Sequence, residues 1–426
     1  MFQFFGCPER AEKRFKLKYN SRSAAIIAHF YWGCLKRDKI YLKFCVSISC
    51  APYTITIWDR TLTDHKIWFR PPQRPAAWCK GMSMKVNRID EIDFARVIAM
   101  ISVITIHVTS NFINYKSNIS FLGMNIAFIL NQLSRFAVPL FILLSGISCG
   151  LKKPYAGTRR FLRGRLIKIG IPYLIWSIMY SLYNSHIDLS AWSFTFFLKS
   201  LLLGQAAPHL YFIVIIMQLY VLFPVLKKWV ENSPYKSLLV SFIISYGIQK
   251  LYYFLKFDFN LIPQSIHPYL WVLLPTWLFY FVMGLILTDD RLIYIRRIAS
   301  QNALTMLLIT LLFAWIYTIE SNVTGSLDSI KAPLNIYAPL IFVSSFSAWK
   351  YIGRFRIVRL LTRFLAKHSL TIYFEHVFVL YFFRRFLLFY EGMFGMSLLL
   401  FAVLMISCLL AILLDGLPDL LKVQKR

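Results

Sequence analysis

Carboxylates are scarce in this sequence: 19 Asp and Glu stand against 48 Lys and Arg in 426 residues. Charge of either sign is thin, at 16%, whereas 58% of residues are hydrophobic and the mean hydropathy is positive. That balance excludes a water-soluble globular protein. A formal charge of +29 in a soluble chain would point to nucleic acid. Here the basic residues gather in short segments between apolar runs, the pattern of loops that orient membrane helices, and no nucleic-acid partner is expected. Cysteine is sparse too. Five of the seven (Cys7, Cys34, Cys45, Cys50 and Cys79) precede residue 84, in spacings that fit neither a metal site nor a disulfide framework. Cys149 and Cys408 lie in apolar stretches and read as packing residues. The sequence also lacks a Gly-rich phosphate loop, a G-x-S-x-G elbow and a metal-ligand spacing, so no metal is expected. No internal repeat or matching pair of Gly/Pro-broken helices marks a transporter built from two halves.

Long apolar runs dominate what is present. From residue 84 onward ten segments are long enough to span a bilayer: 94–113, 124–150, 166–185, 209–226, 236–255, 269–287, 302–319, 333–349, 369–389 and 394–417. Aromatics at 17% suit a membrane protein with Trp and Tyr belts. Loop charges check the count. Counting the tail with one alternate set of loops places 22 basic residues there, including Arg163, Arg165 and Lys168, against seven in the other set. Basic loops face the cytoplasm. The sequence therefore predicts an all-α polytopic protein with about ten transmembrane helices and both termini cytoplasmic. It is expected in the plasma or inner membrane, with the lipid bilayer as its surroundings.

Residues 1–83 differ from the rest. Their apolar runs, AAIIAHFYWGCL and IYLKFCVSISCA, are too short to span. PPQRPAAW reads as a linker, and no secretory signal pattern is recognisable. The expectation is an atypical extension over 1–83, either a disordered tail or a mis-assigned start with the working protein beginning near Met82 or Met84, followed by a membrane domain over 84–426.

Within the membrane domain, ionisable residues are expensive and therefore functional candidates. Arg96 and His107 share the first span, in RVIAMISVITIHV. Eleven residues at about 100° each come to nearly three turns, so both project from one face, about 16 Å apart along the axis. Asp93 is placed to orient Arg96 from one turn away. Asp90, Glu91 and Asp93 also suit a helix start on electrostatic grounds alone. Arg135, in NQLSRFAVPLF, falls near mid-membrane on the second span. It reads either as a clamp on carbonyls or a carboxylate, or as a fixed positive charge in a substrate cavity. His107 is a natural general base near neutral pH, although a lone His can simply bond a neighbouring helix. His209 opens the fourth span at the outer face. His376 sits in the inner half of the ninth, beside Glu375, and reads as structural. The basic loop with Arg163, Arg165 and Lys168 could dock a phosphate-bearing cofactor as well as set topology.

RIDEIDFARVIAMISVITIHV resembles the opening of the integral-membrane acyltransferase family 3, whose hallmark is an Arg, ten residues, then a His. Four further stretches agree in order: SRFAVPLFILLSG, FLRGRLIKIGIPYLIWS, HLYFIVIIMQLYVLFPVL and SLTIYFEHVFV. The resemblance covers about residues 87–415. It departs at Phe94 and Ala95, where the family often has Gly and Leu. It implies transfer of an acyl group, usually acetyl, from cytoplasmic acetyl-CoA to a hydroxyl of a cell-surface polysaccharide or lipid-linked glycan. The likeness is nearest to the small bacterial members without an SGNH hydrolase domain. Acyl hand-over to such a domain would then be absent or supplied by a partner in cell-envelope biosynthesis. On this resemblance Arg96, with Arg163, Arg165 and Lys168, would bind the CoA phosphates, and the pantetheine arm would run along the first helix. His107 would take the hydroxyl proton or carry the acetyl group, and Arg135 would stabilise the oxyanion. Asp93 would orient Arg96, and His209 and His376 would be second-rank substrate contacts. Two other readings stay open: a glycan-translocating protein without chemistry, and a non-catalytic assembly factor.

Overall fold

The computed structural model describes residues 89–114, 120–121, 123–151, 157–187, 193–263, 266–325, 327–387 and 392–423, together with four strands between residues 13 and 58. The chain divides into two compact units, Met1–Val86 and Asn87–Arg426. In the first, β1 (Lys13–Ser21), β2 (Ala24–Leu35), β3 (Lys39–Cys50) and β4 (Tyr53–Trp58) pair antiparallel in chain order. Ala24 faces Ser21, and Tyr53 faces Cys50. The PPQRPAAW linker lies outside the described residues.

The second unit is helical apart from a small hairpin, β5 (Ser120–Phe121) and β6 (Met124–Asn125). Its helices are α1 (Asp90–Thr109), α2 (Ile126–Leu133), α3 (Ala137–Gly150), α4 (Thr158–Arg165), α5 (Ile171–Ile187), α6 (Phe194–Leu203), α7 (Tyr211–Asn232), α8 (Pro234–Tyr253), α9 (His267–Trp271), α10 (Leu274–Ile286), α11 (Asp289–Gln301), α12 (Ala303–Thr324), α13 (Leu334–Ile352), α14 (Arg356–Leu387) and α15 (Gly392–Val423). Among the described residues eight helical segments are long and apolar enough to cross a membrane. They correspond to the first seven and the last of the ten expected spans. The expected spans 333–349 and 369–389 are the helices α13 and α14, which are not among the eight. In α14 the reason is visible. The run after its basic opening turns itself contains Glu375, His376 and Arg384, which dilute its apolar character. The unit is a polytopic all-α membrane protein.

α1 is the central helix, packed against α2, α3, α13, α14 and α15. Three carboxylates in its first turn suit the positive end of the helix dipole. Each also meets an Arg: Asp90 takes a bidentate pair from Arg363 of α14 (3.0 and 2.9 Å), Glu91 one from Arg296 of α11 (2.7 and 2.9 Å), and Asp93 a single bond from Arg96 (2.9 Å). Two of the scarce carboxylates, Asp90 and Glu91, thus hold one end of α1 to two neighbours, and Asp93 pairs within the helix.

Two backbone features shape the interior. α3 and α10 cross at Gly146 and Gly284. A Cβ on Gly284 would stand 2.1 Å from the Leu143 carbonyl oxygen, and one on Gly146 2.3 Å from that of Phe281, so only glycine permits this approach. The second feature is a break between α2 and α3. Pro139 has no N–H for the carbonyl of Arg135, four residues back, and its ring crowds that oxygen. The chain turns through 134–136, with Arg135 N–H bonding the Gln132 carbonyl (3.1 Å) before α3 begins. Arg135 therefore lies in a turn rather than within a continuous helix.

Candidate active site

The break at residues 134–136 places the Arg135 guanidinium beside the far end of α1. Its Nε and Nη2 donate to Asn131 Oδ1 (3.0 and 2.6 Å), and Nη1 donates to Ser329 Oγ (3.2 Å). Asn131 is fully buried and turns its amide nitrogen the other way, onto the Ile106 carbonyl (3.0 Å), Thr109 Oγ1 (3.1 Å) and Ser110 Oγ (3.0 Å). One amide thus fastens Arg135 to the turn of α1 that carries His107. No carboxylate appears among these partners. Of the two readings of Arg135, a fixed positive charge at a cavity fits this geometry. Sequence reasoning missed Asn131, although an Asn-Gln pair inside an apolar span was the available signal.

His107, His209 and His376 meet at this level. Their ring centroids are 6.0 Å (107–209), 5.4 Å (107–376) and 4.8 Å (209–376) apart. His209 and His376 are 2% and 1% exposed. His376 Nδ1 points at the carbonyls of Tyr373 (2.8 Å) and Ile372 (3.1 Å), while its Nε2 is buried without a partner. Neither ring nitrogen of His209 makes a well-formed hydrogen bond. The Tyr373 hydroxyl bonds the His209 carbonyl, and the Tyr180 hydroxyl bonds that of Phe374 (2.8 Å), so α5, α14 and the segment before α7 are locked around the imidazoles.

This corrects the depth expected for His376. Counted from a span starting at 369 it is expected in the inner half of the membrane, at a different level from His107. α14 instead starts at Arg356, so His376 is 20 residues along it, about 30 Å. His107 is 17 residues along α1, about 26 Å. Counted from the Asp90–Arg363 pair that joins the two helices, His376 is 13 residues on, about 20 Å, and His107 17 residues on, about 26 Å, and the two rings meet with centroids 5.4 Å apart.

A cavity of about 430 Å³ opens beside the cluster. That is within the usual range for small-molecule sites. His107, His209 and Arg135 line it, with Asn111, Tyr211, Trp271, Trp277, Asp328, Tyr373 and Arg384. Asp328 is held by Lys256 Nζ (2.5 Å) and the Tyr252 hydroxyl (3.3 Å), and Tyr252 also accepts from Trp271 Nε1 (3.3 Å). The same segment carries Lys331, whose Nζ donates to Ser321 Oγ (2.5 Å) above the Tyr317 ring. Burial, and then the nearby Arg135 charge, lower the Lys331 pKa to about 7. Asp328 and Ser329 were also missed by sequence reasoning, because a short polar segment between two helices shows no sign of folding back over a distant one.

The other expected residues lie elsewhere. Arg96 remains with Asp93 near the start of α1. Arg165 packs over the Tyr220 ring (4.5 Å) and donates to Cys149 Sγ (3.4 Å). The Tyr220 phenol lies within electrostatic range of both Arg165 and Arg96, so these two cations belong to one neighbourhood. Arg163 and Lys168 are exposed and join neither group. Lys152 and Lys153 lie outside the described residues.

Proteins of Staphylococcus aureus strains MSSA476 and MW2, each named a probable poly-beta-1,6-N-acetyl-D-glucosamine export protein, are 29% identical over 207 residues, and the protein of that name from strain MRSA252 is 28% identical. The matched stretch is 47% of this chain and 57% of each relative, so the chain spans little more than half the length of the relatives it matches. No solved structure matches. The model of the family described as "Acyltransferase domain" matches residues 89–415, from the start of α1 into α15 and including every candidate residue above, and the chain belongs to this family of integral-membrane acyltransferases, family 3.

Proposed function

We propose that the protein transfers an acyl group, acetyl in the first instance, from cytoplasmic acyl-CoA to a hydroxyl of a cell-surface or lipid-linked glycan. The observation that carries this reading is the placement of His107 and Arg135 on one cavity, with Arg96 three turns down the same helix. Both termini are assigned to the cytoplasm and the cavity to the outer side, following the basic loops. Acyl-CoA then meets Arg96 and Arg165 first, where guanidinium forks suit its phosphates. The pantetheine arm reaches toward His107. The acceptor enters the cavity from the other side, where Trp271, Tyr211 and Trp277 offer ring faces and Asp328 and Asn111 offer polar contacts to a sugar.

In the reaction a C–O bond forms between the acceptor hydroxyl and the acyl carbon, and the C–S bond to CoA breaks. His107 accepts the hydroxyl proton and returns it to the departing thiolate. Arg135, oriented by Asn131, stabilises the oxyanion between those events. The test is release of free CoA and acyl transfer from labelled acetyl-CoA by membranes containing the full chain, wild type beside His107→Ala. Turnover in the wild type that vanishes in a normally inserted variant supports the reading. Activity within a few-fold of wild type in the variant rejects the role of His107.

A second reading, glycan translocation without chemistry, is favoured by the relatives' names as probable export proteins. It predicts no dependence on acyl-CoA at all. The plasma or inner membrane is the proposed location under either reading.

A further inference from the structure

The three imidazoles come from segments 102 and 167 residues apart in the chain, which is why no ligand spacing is visible in the sequence. In space their ligand atoms all lie within 4.8 Å of one another. A structural explanation for such a cluster would be hydrogen bonding between the rings or to nearby groups. That falls short at His209, which makes only a loose approach to the Phe374 carbonyl that Tyr180 already occupies, and at His376 Nε2, which has no partner; both are buried. Leaving such atoms unsatisfied costs about 1–3 kcal/mol each. His376 is also prepared for a ligand. Its Nδ1 is directed at two backbone carbonyls, which places the ring proton there and leaves a lone pair on Nε2. This is how metal-bound histidines are usually oriented.

We propose that His107, His209 and His376 form a binding site for a divalent transition-metal ion of the zinc class, whose occupancy competes with acyl transfer. Zn–N bonds of about 2.0–2.1 Å in a tetrahedron put ligand nitrogens about 3.4 Å apart, so the widest pair closes by about 1.4 Å through small ring rotations. Three imidazoles complete three positions, and the fourth faces the cavity that His107 and His209 line. Imidazole nitrogens select zinc, copper or nickel over magnesium and calcium, which prefer oxygen. Arg135 lines the same cavity and opposes a second positive charge, which weakens binding without changing that selectivity. The competition follows from electron bookkeeping: the His107 lone pair that accepts the hydroxyl proton is the one that binds the ion. This half of the inference rests on the acyl-transfer reading.

The test uses the full chain in lipid nanodiscs, stripped with chelator and titrated with Zn²⁺, with Co²⁺ as a spectroscopic substitute. The expected result is one ion per chain, a visible Co²⁺ absorption of tetrahedral type, and weakening by at least about tenfold in each of His209→Gln and His376→Gln. Substoichiometric uptake, or affinity unchanged in both variants, overturns the site. Zn²⁺ should also suppress wild-type acyl transfer and chelator restore it; a bound ion with undiminished turnover overturns the competition. Stoichiometric binding in a protein that never transfers acyl groups leaves the site standing and removes the acyltransferase reading. Turnover in a protein that binds no ion does the reverse.

Discussion

The two ends of α1 treat charge in opposite ways. At the Asp90 end, three carboxylates meet three guanidinium groups at 2.7–3.0 Å. Arg296 and Arg363 there are about half exposed, with side-chain exposures of 52% and 48%. At the His107 end, two buried imidazoles hold nitrogens without a well-formed hydrogen bond, and a guanidinium is held by an amide and a hydroxyl with no carboxylate among its bonds. Saturated, solvated charge anchors a helix; polar atoms buried and left open belong where something must still bind or react.

The sharpest way to break that contrast is His107→Gln, which keeps size and polarity. Acyl transfer should fall by about 10²–10⁴-fold while insertion and detergent stability change little. A retained rate would mean that the open end is merely loose packing. Next comes Arg135→Lys. The ammonium keeps the charge but cannot span Asn131 and Ser329 as a fork, and kcat should drop about 10²-fold with KM for acyl-CoA near wild type. An effect on KM alone would move Arg135 from the oxyanion to substrate binding.

Lys331 tests the electrostatics of the open end. Its folded pKa of about 7 lies below the ordinary 10.5. Between those values the unfolded chain binds more protons, so stability should rise as pH increases from 7 through 10.5 and carry the full penalty below 7. Thermal unfolding of Lys331→Met in detergent should show this slope flattened and, at pH 7, a gain of about 1–3 kcal/mol. An unchanged slope would show that another group sets it. The smallest effect is expected at the satisfied end. Arg363→Gln removes a half-exposed pair and should lower the unfolding temperature only slightly, by less still with added salt. A large drop would show that the anchor is not ordinary surface pairing.

Much of this contrast is legible in the amino-acid sequence. Arg96 and His107 announce themselves by spacing, and Arg135 by the cost of a guanidinium in an apolar run. Asp93 pairs with Arg96 as expected. Other parts are not legible, for identifiable reasons. The depth of His376 depends on where α14 begins, and a basic amphipathic start is invisible to a search for apolar runs. The break at Arg135 depends on Pro139, whose effect falls one turn upstream. Asn131 is one polar residue among several until the α1 groups that it bonds are placed beside it. Arg163 and Lys168, attractive as phosphate ligands by charge alone, are exposed on the structure.

Composition and periodicity by themselves determined that this chain is a multi-pass helical membrane protein, and short-range spacing determined that Arg96 and His107 lie on one helix with Asp93 beside the Arg. Those facts depend on hydrophobicity and on the 3.6-residue turn, both local properties of the chain. Only the tertiary structure decided that His209 and His376 join His107, that Asn131 fastens to α1, and that Asp328 and Ser329 line the same cavity. These contacts link residues up to 269 positions apart, from His107 to His376. They follow from how helices pack around α1, and no local rule of the sequence contains that information.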